Sequence, residues 1–211
     1  MEGGVKEDLV STLKKLSRVF SELGIHYVLV GGLACVLYGV ERATLDIDLI
    51  VERVEEGKAR ELAARLSEEG LYIPVGEVLG ALREGGHATI PLGGMRRVDL
   101  KFSSTPLDVA SLKNFVEVHL GCASIKVAGL EECVAAKIAV LGDLKDLEDA
   151  LILMDIHRDR IDWGKLNKYL GGNPLQKIAK LLDRVEAVYS GEEAVIRKVR
   201  YLRQYVKSLS R

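Results

Sequence analysis

The run "VGGLACVLYGVERATLDIDLIV", residues 30–51, sets two carboxylates, Asp46 and Asp48, inside an otherwise apolar segment. Side chains alternate along a strand, so Thr44, Asp46 and Asp48 share one face while Leu45, Ile47 and Leu49 share the other. Two like charges side by side on a half-buried strand repel each other and resist desolvation. A bound cation would offset that cost, and carboxylates prefer hard cations such as Mg²⁺. Just upstream, Gly31-Gly32 make a turn between a strand over 27–31 and a brief helix over 33–39. Backbone N–H groups at such a turn can approach and hold phosphate oxygens, helped by the helix dipole.

Outward from this run, the apolar spacing Leu9, Leu13, Leu16, Phe20, Leu23 predicts a helix over 5–23 that Gly24 ends. Residues 55–70 repeat the pattern, and 76–86 read as a further helix interrupted by glycines. "HATIPL" and "RRVDLKFS" read as two strands joined through Gly93-Gly94. Ser103-Ser104-Thr105 before Pro106 predicts a strand-to-helix turn capped by Ser104 or Thr105. "FVEVHL" and "ASIKVAG" form another strand pair, and beyond Val127 every segment reads as helix. The expected architecture is an α/β (α+β) core over 1–128, followed by a helical domain over 129–211.

Composition excludes several classes. With 48% hydrophobic and 29% charged residues, the chain is neither disordered nor fibrous. A net charge of -1 exerts no global pull on nucleic acid or an anionic membrane. The opening "MEGGVKEDLV" has no apolar signal core, and the charge-free run Tyr27–Val40 is too short and glycine-broken to span a bilayer. Cys35, Cys122 and Cys133 are scattered and odd in number, which predicts reduced, buried thiols in a cytoplasmic protein. Asn and Gln are scarce beside Glu, Lys and Arg, a thermophile-like balance.

Gly31-Gly32 after a strand, a short helix, then Asp46-Ile-Asp48 on the next strand resembles the signature of the nucleotidyltransferase superfamily, the DNA polymerase β-like enzymes. "Arg42-Ala-Thr44-Leu-Asp46-Ile-Asp48-Leu" is similar to the wording of small prokaryotic members. The later "Glu132-Cys-Val-Ala-Ala-Lys137" and "Lys145-Asp146-Leu-Glu-Asp149" resemble the AbiEii-type toxin nucleotidyltransferases. The resemblance spans about residues 25–156. It implies a nucleotidyltransferase-like mixed sheet flanked by helices and transfer of a nucleoside monophosphate from an NTP to an acceptor hydroxyl, releasing pyrophosphate. It also implies Mg²⁺, two ions, with Mn²⁺ as a substitute, held by Asp46, Asp48 and a third carboxylate from a later strand. Asp99 in "Arg97-Val-Asp99-Leu-Lys-Phe" has that setting, and would help deprotonate the acceptor. Gly31 and Gly32 would seat the triphosphate. The acceptor could be tRNA or another RNA, a protein or a small molecule, and a catalytically silent partner-binding member, such as half of a toxin–antitoxin pair, is the alternative.

Other candidates have plainer readings beside them. Arg42 and Thr44 could meet a phosphate, or Arg42 could be a solvated loop residue. Lys137 could reach the triphosphate, or snorkel to solvent from an apolar helix. Asp99 could instead be a surface acid facing Arg96 or Lys101. The stretch between Lys137 and Asp146 is shorter than in the related toxins, which favours Asp146 and Asp149 as helix-surface acids. The basic residues of the last helix read as a solvated face around the apolar stripe Val195, Val199, Leu202, Val206, Leu209, with an RNA track as the sharper option.

Overall fold

In the computed structural model, which describes residues 8–121 and 123–210, the first helix runs Leu9–Leu23 (α1). Asp8 caps it, its carboxylate accepting the Ser11 N–H at 2.6 Å, and Gly24 ends it at φ 62°. Residues 5–7 of the expected helix lie outside the described residues. Then come β1 (Tyr27–Val30), α2 (Gly31–Leu37), β2 (Asp46–Val51) and α3 (Glu56–Glu68). Helix α4 (Val75–Gly80) passes into a π-helical turn over Ala81–Gly85. Strands β3 (His87–Pro91) and β4 (Arg97–Phe102) form an antiparallel hairpin. Its turn places Gly93 and Gly94 at φ 86° and 63°, a region open to glycine. Helix α5 (Pro106–Lys113) starts at an N-cap Thr105, whose hydroxyl accepts from the Asp108 N–H, while the Asp108 carboxylate accepts from the Thr105 N–H. Strands β5 (Phe115–Leu120) and β6 (Ala123–Ala128) pair antiparallel.

The six strands form one mixed sheet in the order β3-β4-β2-β1-β6-β5. Strand β2 runs antiparallel to β1 and parallel to β4. Residues directly opposite share a face, so the register sorts the sheet. Leu29, Ile47, Leu49, Val98 and Leu100 fall on one face and are fully buried. Tyr27 lies on this face too and stacks on Phe20 of α1 with ring centroids 4.8 Å apart, so α1 covers it. The opposite face carries Asp46, Asp48, Asp99 and Lys101.

The chain up to Val36 with Arg42–Gly129 forms one compact unit; Leu37–Glu41 with the chain from Leu130 on forms a second. The second contains α6 (Leu130–Ala136), a π-helical turn over Lys137–Leu141, α7 (Leu144–Ile156), α8 (Trp163–Leu170), α9 (Pro174–Val188) and α10 (Glu193–Leu209). Within it two basic residues of α10 meet acids of neighbouring helices. Arg203 bridges Asp183 at 2.7 Å and Glu186 at 2.5 Å on α9, and Lys198 pairs with Glu148 of α7. Cys35 and Cys133 are buried in the core; Cys122 lies outside the described residues. No described helix is long and apolar enough to cross a membrane.

Candidate functional site

The register of β2 against β4 assembles the site. Asp48 stands directly opposite Asp99, and Asp46 directly opposite Arg97. Because Asp46 and Asp48 are two residues apart, as are Arg97 and Asp99, all four side chains leave the sheet on one face. Further along this face, Lys101 reaches the Asp108 carboxylate of α5 at 2.9 Å. Helix α5 therefore closes the Lys101 end and leaves the aspartates at the open end, where the Asp46 side chain is 31% exposed and that of Asp99 14%.

Asp46 and Asp99 are oriented by specific neighbours. Thr89, opposite Asp99 on β3, donates its hydroxyl to Asp99 Oδ1 at 2.6 Å. Arg97 Nε donates to Asp99 Oδ2 at 2.8 Å, and Arg97 Nη2 donates to Asp46 Oδ2 at 3.2 Å. The hydrogen bond to Asp99, then the charges of Asp99 and Asp46, push the Arg97 guanidinium above its already high ordinary pKa. It is a permanent cation. The plainer reading of Asp99 set Arg96 or Lys101 against it; Lys101 instead pairs with Asp108, and Arg97 and Thr89 bond to Asp99. Both were missed, although the Arg-x-Asp alternation already puts Arg97 on the face of Asp99.

Asp48 explains Gly31. The expected two-glycine turn before α2 is absent: the helix begins at Gly31 itself, which turns the chain in one residue at φ 69°. A Cβ on Gly31 would lie 1.9 Å from Asp48 Oδ2, so the carboxylate occupies the space a side chain would need. Gly32 lies closely against the loop between α2 and β2, where its Cβ would meet Thr44 Oγ1 at 3.0 Å and Arg42 Nη2 at 3.1 Å. The structure thus brings together Gly31, Gly32, Arg42, Thr44, Asp46, Asp48 and Asp99.

These donors suit a hard cation. Among the described residues no group of three or more His, Cys, Asp or Glu side chains is placed to hold a metal ion by itself. Mg²⁺ does not require one, since it is commonly held by one or two carboxylates with substrate phosphates and water completing the octahedron. Adjacent Asp46, Asp48 and Asp99 supply that kind of open, acidic edge.

Lys137 belongs to the second unit. Its side chain is buried, and its ammonium pairs with Asp146 and, at 3.0 Å, with Asp149. The sequence left Lys137 between the triphosphate and solvent and favoured Asp146 and Asp149 as helix-surface acids; burial corrects the snorkelling and surface readings, since all three residues are at most 8% exposed. Lone charges do not stay buried, and each supplies the counter-charge the others need. Burial pushes the Asp146 carboxyl above its usual range, against the pull of Lys137.

No protein-family model matches the chain, and no curated protein matches it. Among solved structures, it is similar to an antigenic nucleotidyltransferase-like protein from Paracoccidioides brasiliensis, at 16% identity and a TM-score of 0.47, covering 90% of this chain and 92% of that one. It is also similar to the antibiotic-resistance factor ANT(2'')-Ia, at 16% identity and a TM-score of 0.43, over 94% and 91% of the two chains. A CCA-adding enzyme in complex with ATP matches at 16% identity and a TM-score of 0.42, over 95% of this chain and 52% of that one. Likeness at this level says nothing of what this chain does.

Proposed function

We propose that the chain transfers a nucleoside monophosphate from a nucleoside triphosphate to an acceptor hydroxyl. The observation that carries this reading is the β2–β4 register, which sets Asp48 opposite Asp99 and Asp46 beside them on one open face. The close fit of Asp48 against Gly31 adds to it, because the glycine is shaped to the carboxylate rather than to the turn alone.

Asp46 and Asp48 would hold Mg²⁺ together with the triphosphate, and Asp99 would complete the site. Bound Mg²⁺, as two ions or replaced by Mn²⁺, supplies charge stabilisation to the attacking and departing oxygens. The acceptor oxygen forms a bond to the α-phosphorus, and the bond from that phosphorus to the bridging oxygen breaks. Pyrophosphate leaves with the electron pair. Asp99, steadied by Thr89, takes the hydroxyl proton as general base. Arg42 and Thr44, packed on Gly32, offer a guanidinium and a hydroxyl to phosphate oxygens.

The test is incubation with each labelled NTP and Mg²⁺ against an RNA pool containing tRNA, a protein mixture and small polyhydroxylated acceptors. Labelled acceptor and released pyrophosphate are expected, and Asp48→Asn and Asp99→Asn should each abolish both while keeping the parent's circular dichroism spectrum. Nucleotide binding without turnover would leave the catalytically silent alternative. Full activity in either variant would end the proposal.

A further inference from the structure

Arg97 is placed among the carboxylates by the sheet itself. Its Cα is fixed in two ladders at once, opposite Asp46 on β2 and opposite Pro91 on β3. Its Nε and Nη2 reach two different aspartates, at 2.8 and 3.2 Å, so one planar cation spans the pair. A guanidinium does not give up its proton, so it leaves those oxygens only by moving. It is free to move: the side chain is half exposed, and the two aspartates are its ion-pair partners among the described residues. Asp99 would not follow, because Thr89 holds its other oxygen at 2.6 Å.

From this we infer that Arg97 is a resident counter-cation that competes with the divalent metal for Asp46 and Asp99, and so couples metal loading to the arrival of the triphosphate. The inference rests on the nucleotidyl-transfer reading and deepens it. Free metal must displace a cation already in place, and the aspartates are thereby kept from repelling one another in its absence. A triphosphate changes the balance. It brings phosphate oxygens that the displaced guanidinium can meet, so metal and nucleotide bind together more favourably than either alone. The bare ion bears the cost of displacing Arg97 alone, whereas the polyanion binds the displaced guanidinium and offsets that cost, which is the coupling between the two ligands.

The probe is Mn²⁺, followed by electron paramagnetic resonance, with and without a non-hydrolysable NTP analogue, in the parent, Arg97→Gln and Arg97→Lys. Arg97→Gln should bind Mn²⁺ alone about two- to tenfold more tightly than the parent, the range set by two exposed ion pairs and the competing population. The enhancement of Mn²⁺ affinity by the analogue should shrink by a similar factor. Arg97→Lys, which keeps the charge but cannot span both aspartates, should fall between the two and controls for any folding defect. Unchanged or weaker Mn²⁺ binding in Arg97→Gln, with the parent still binding, overturns the counter-cation role and leaves the metal site standing. Absence of Mn²⁺ binding in all three proteins, with and without the analogue, overturns the metal site and the role of Arg97 together.

Discussion

Gly31 has two separate reasons to lack a side chain, and they can be pulled apart. Its φ of 69° is costly for an L-residue by about 1–2 kcal/mol, and its missing Cβ is where Asp48 Oδ2 comes to rest. Gly31→Ala should therefore cost more than the backbone term, because the carboxylate must shift. In an Asp48→Ala background the clash with the carboxylate is gone, and the backbone term of about 1–2 kcal/mol is joined only by a Cβ–Cβ approach of 2.8 Å, so the cost should be smaller. Urea denaturation of the four proteins in this cycle checks it. Equal costs in both backgrounds would mean that the contact between Gly31 and Asp48 is relaxed without strain. The glycine pair and the acids were legible in the sequence as separate features. That one exists to admit the other was not, because it depends on how closely α2 and β2 approach.

At the scale of elements, the buried Lys137–Asp146–Asp149 group sits where α6 passes through a π-helical turn into α7. Lys137→Met would leave two carboxylates buried without their cation, so a loss of about 3–5 kcal/mol is expected, or roughly 6–20 °C in Tm for a chain of this size. A thermal melt decides, and a change within 1 °C of the parent (about 0.5 kcal/mol or less) would show that the group is not an energetic unit. Helix α5 offers a pH-dependent case. Burial raises the Asp108 carboxyl, but the Ser104 and Thr105 amides and Lys101 outweigh it, so the pKa ends below the ordinary 3.8. A lowered carboxylate pKa contributes stability that is complete above the unfolded value and lost as pH falls through the folded one. The stability gap between parent and Asp108→Asn should then be full at neutral pH and narrow only below 3.8. Chemical denaturation from pH 7 downward measures it; a gap that is constant with pH would assign the effect to packing rather than charge.

For the whole molecule, ligand-linked stability distinguishes a nucleotide site from a pure interaction surface. A ligand at a hundredfold excess over Kd adds about 2.7 kcal/mol, which corresponds to roughly 5–11 °C in Tm. NTP and Mg²⁺ together should raise Tm by more than the sum of their separate shifts, because the aspartates repel phosphates in the absence of the cation. Asp46→Asn should lose that excess. A strictly additive response with all four nucleotides would count against nucleotide binding at this face.

Local pattern determined much of this protein. Alternation in "LDIDLIV" and "RVDLKF" put Asp46, Asp48 and Asp99 on strand faces, four-and-three spacing located the helices, and Gly24 and Thr105 marked where helices end and begin. These features depend on side-chain direction and backbone freedom within a few residues, which the sequence carries directly. Strand order and register are different, because they are set by which apolar faces bury together across long separations. Only the tertiary structure placed β4 beside β2 with Asp48 opposite Asp99, and thereby set Arg97 across from Asp46 and Thr89 against Asp99. The same holds for Lys137, Asp146 and Asp149. A charge pattern on one helix cannot reveal that packing has closed over it, whereas burial makes three such residues each other's partners.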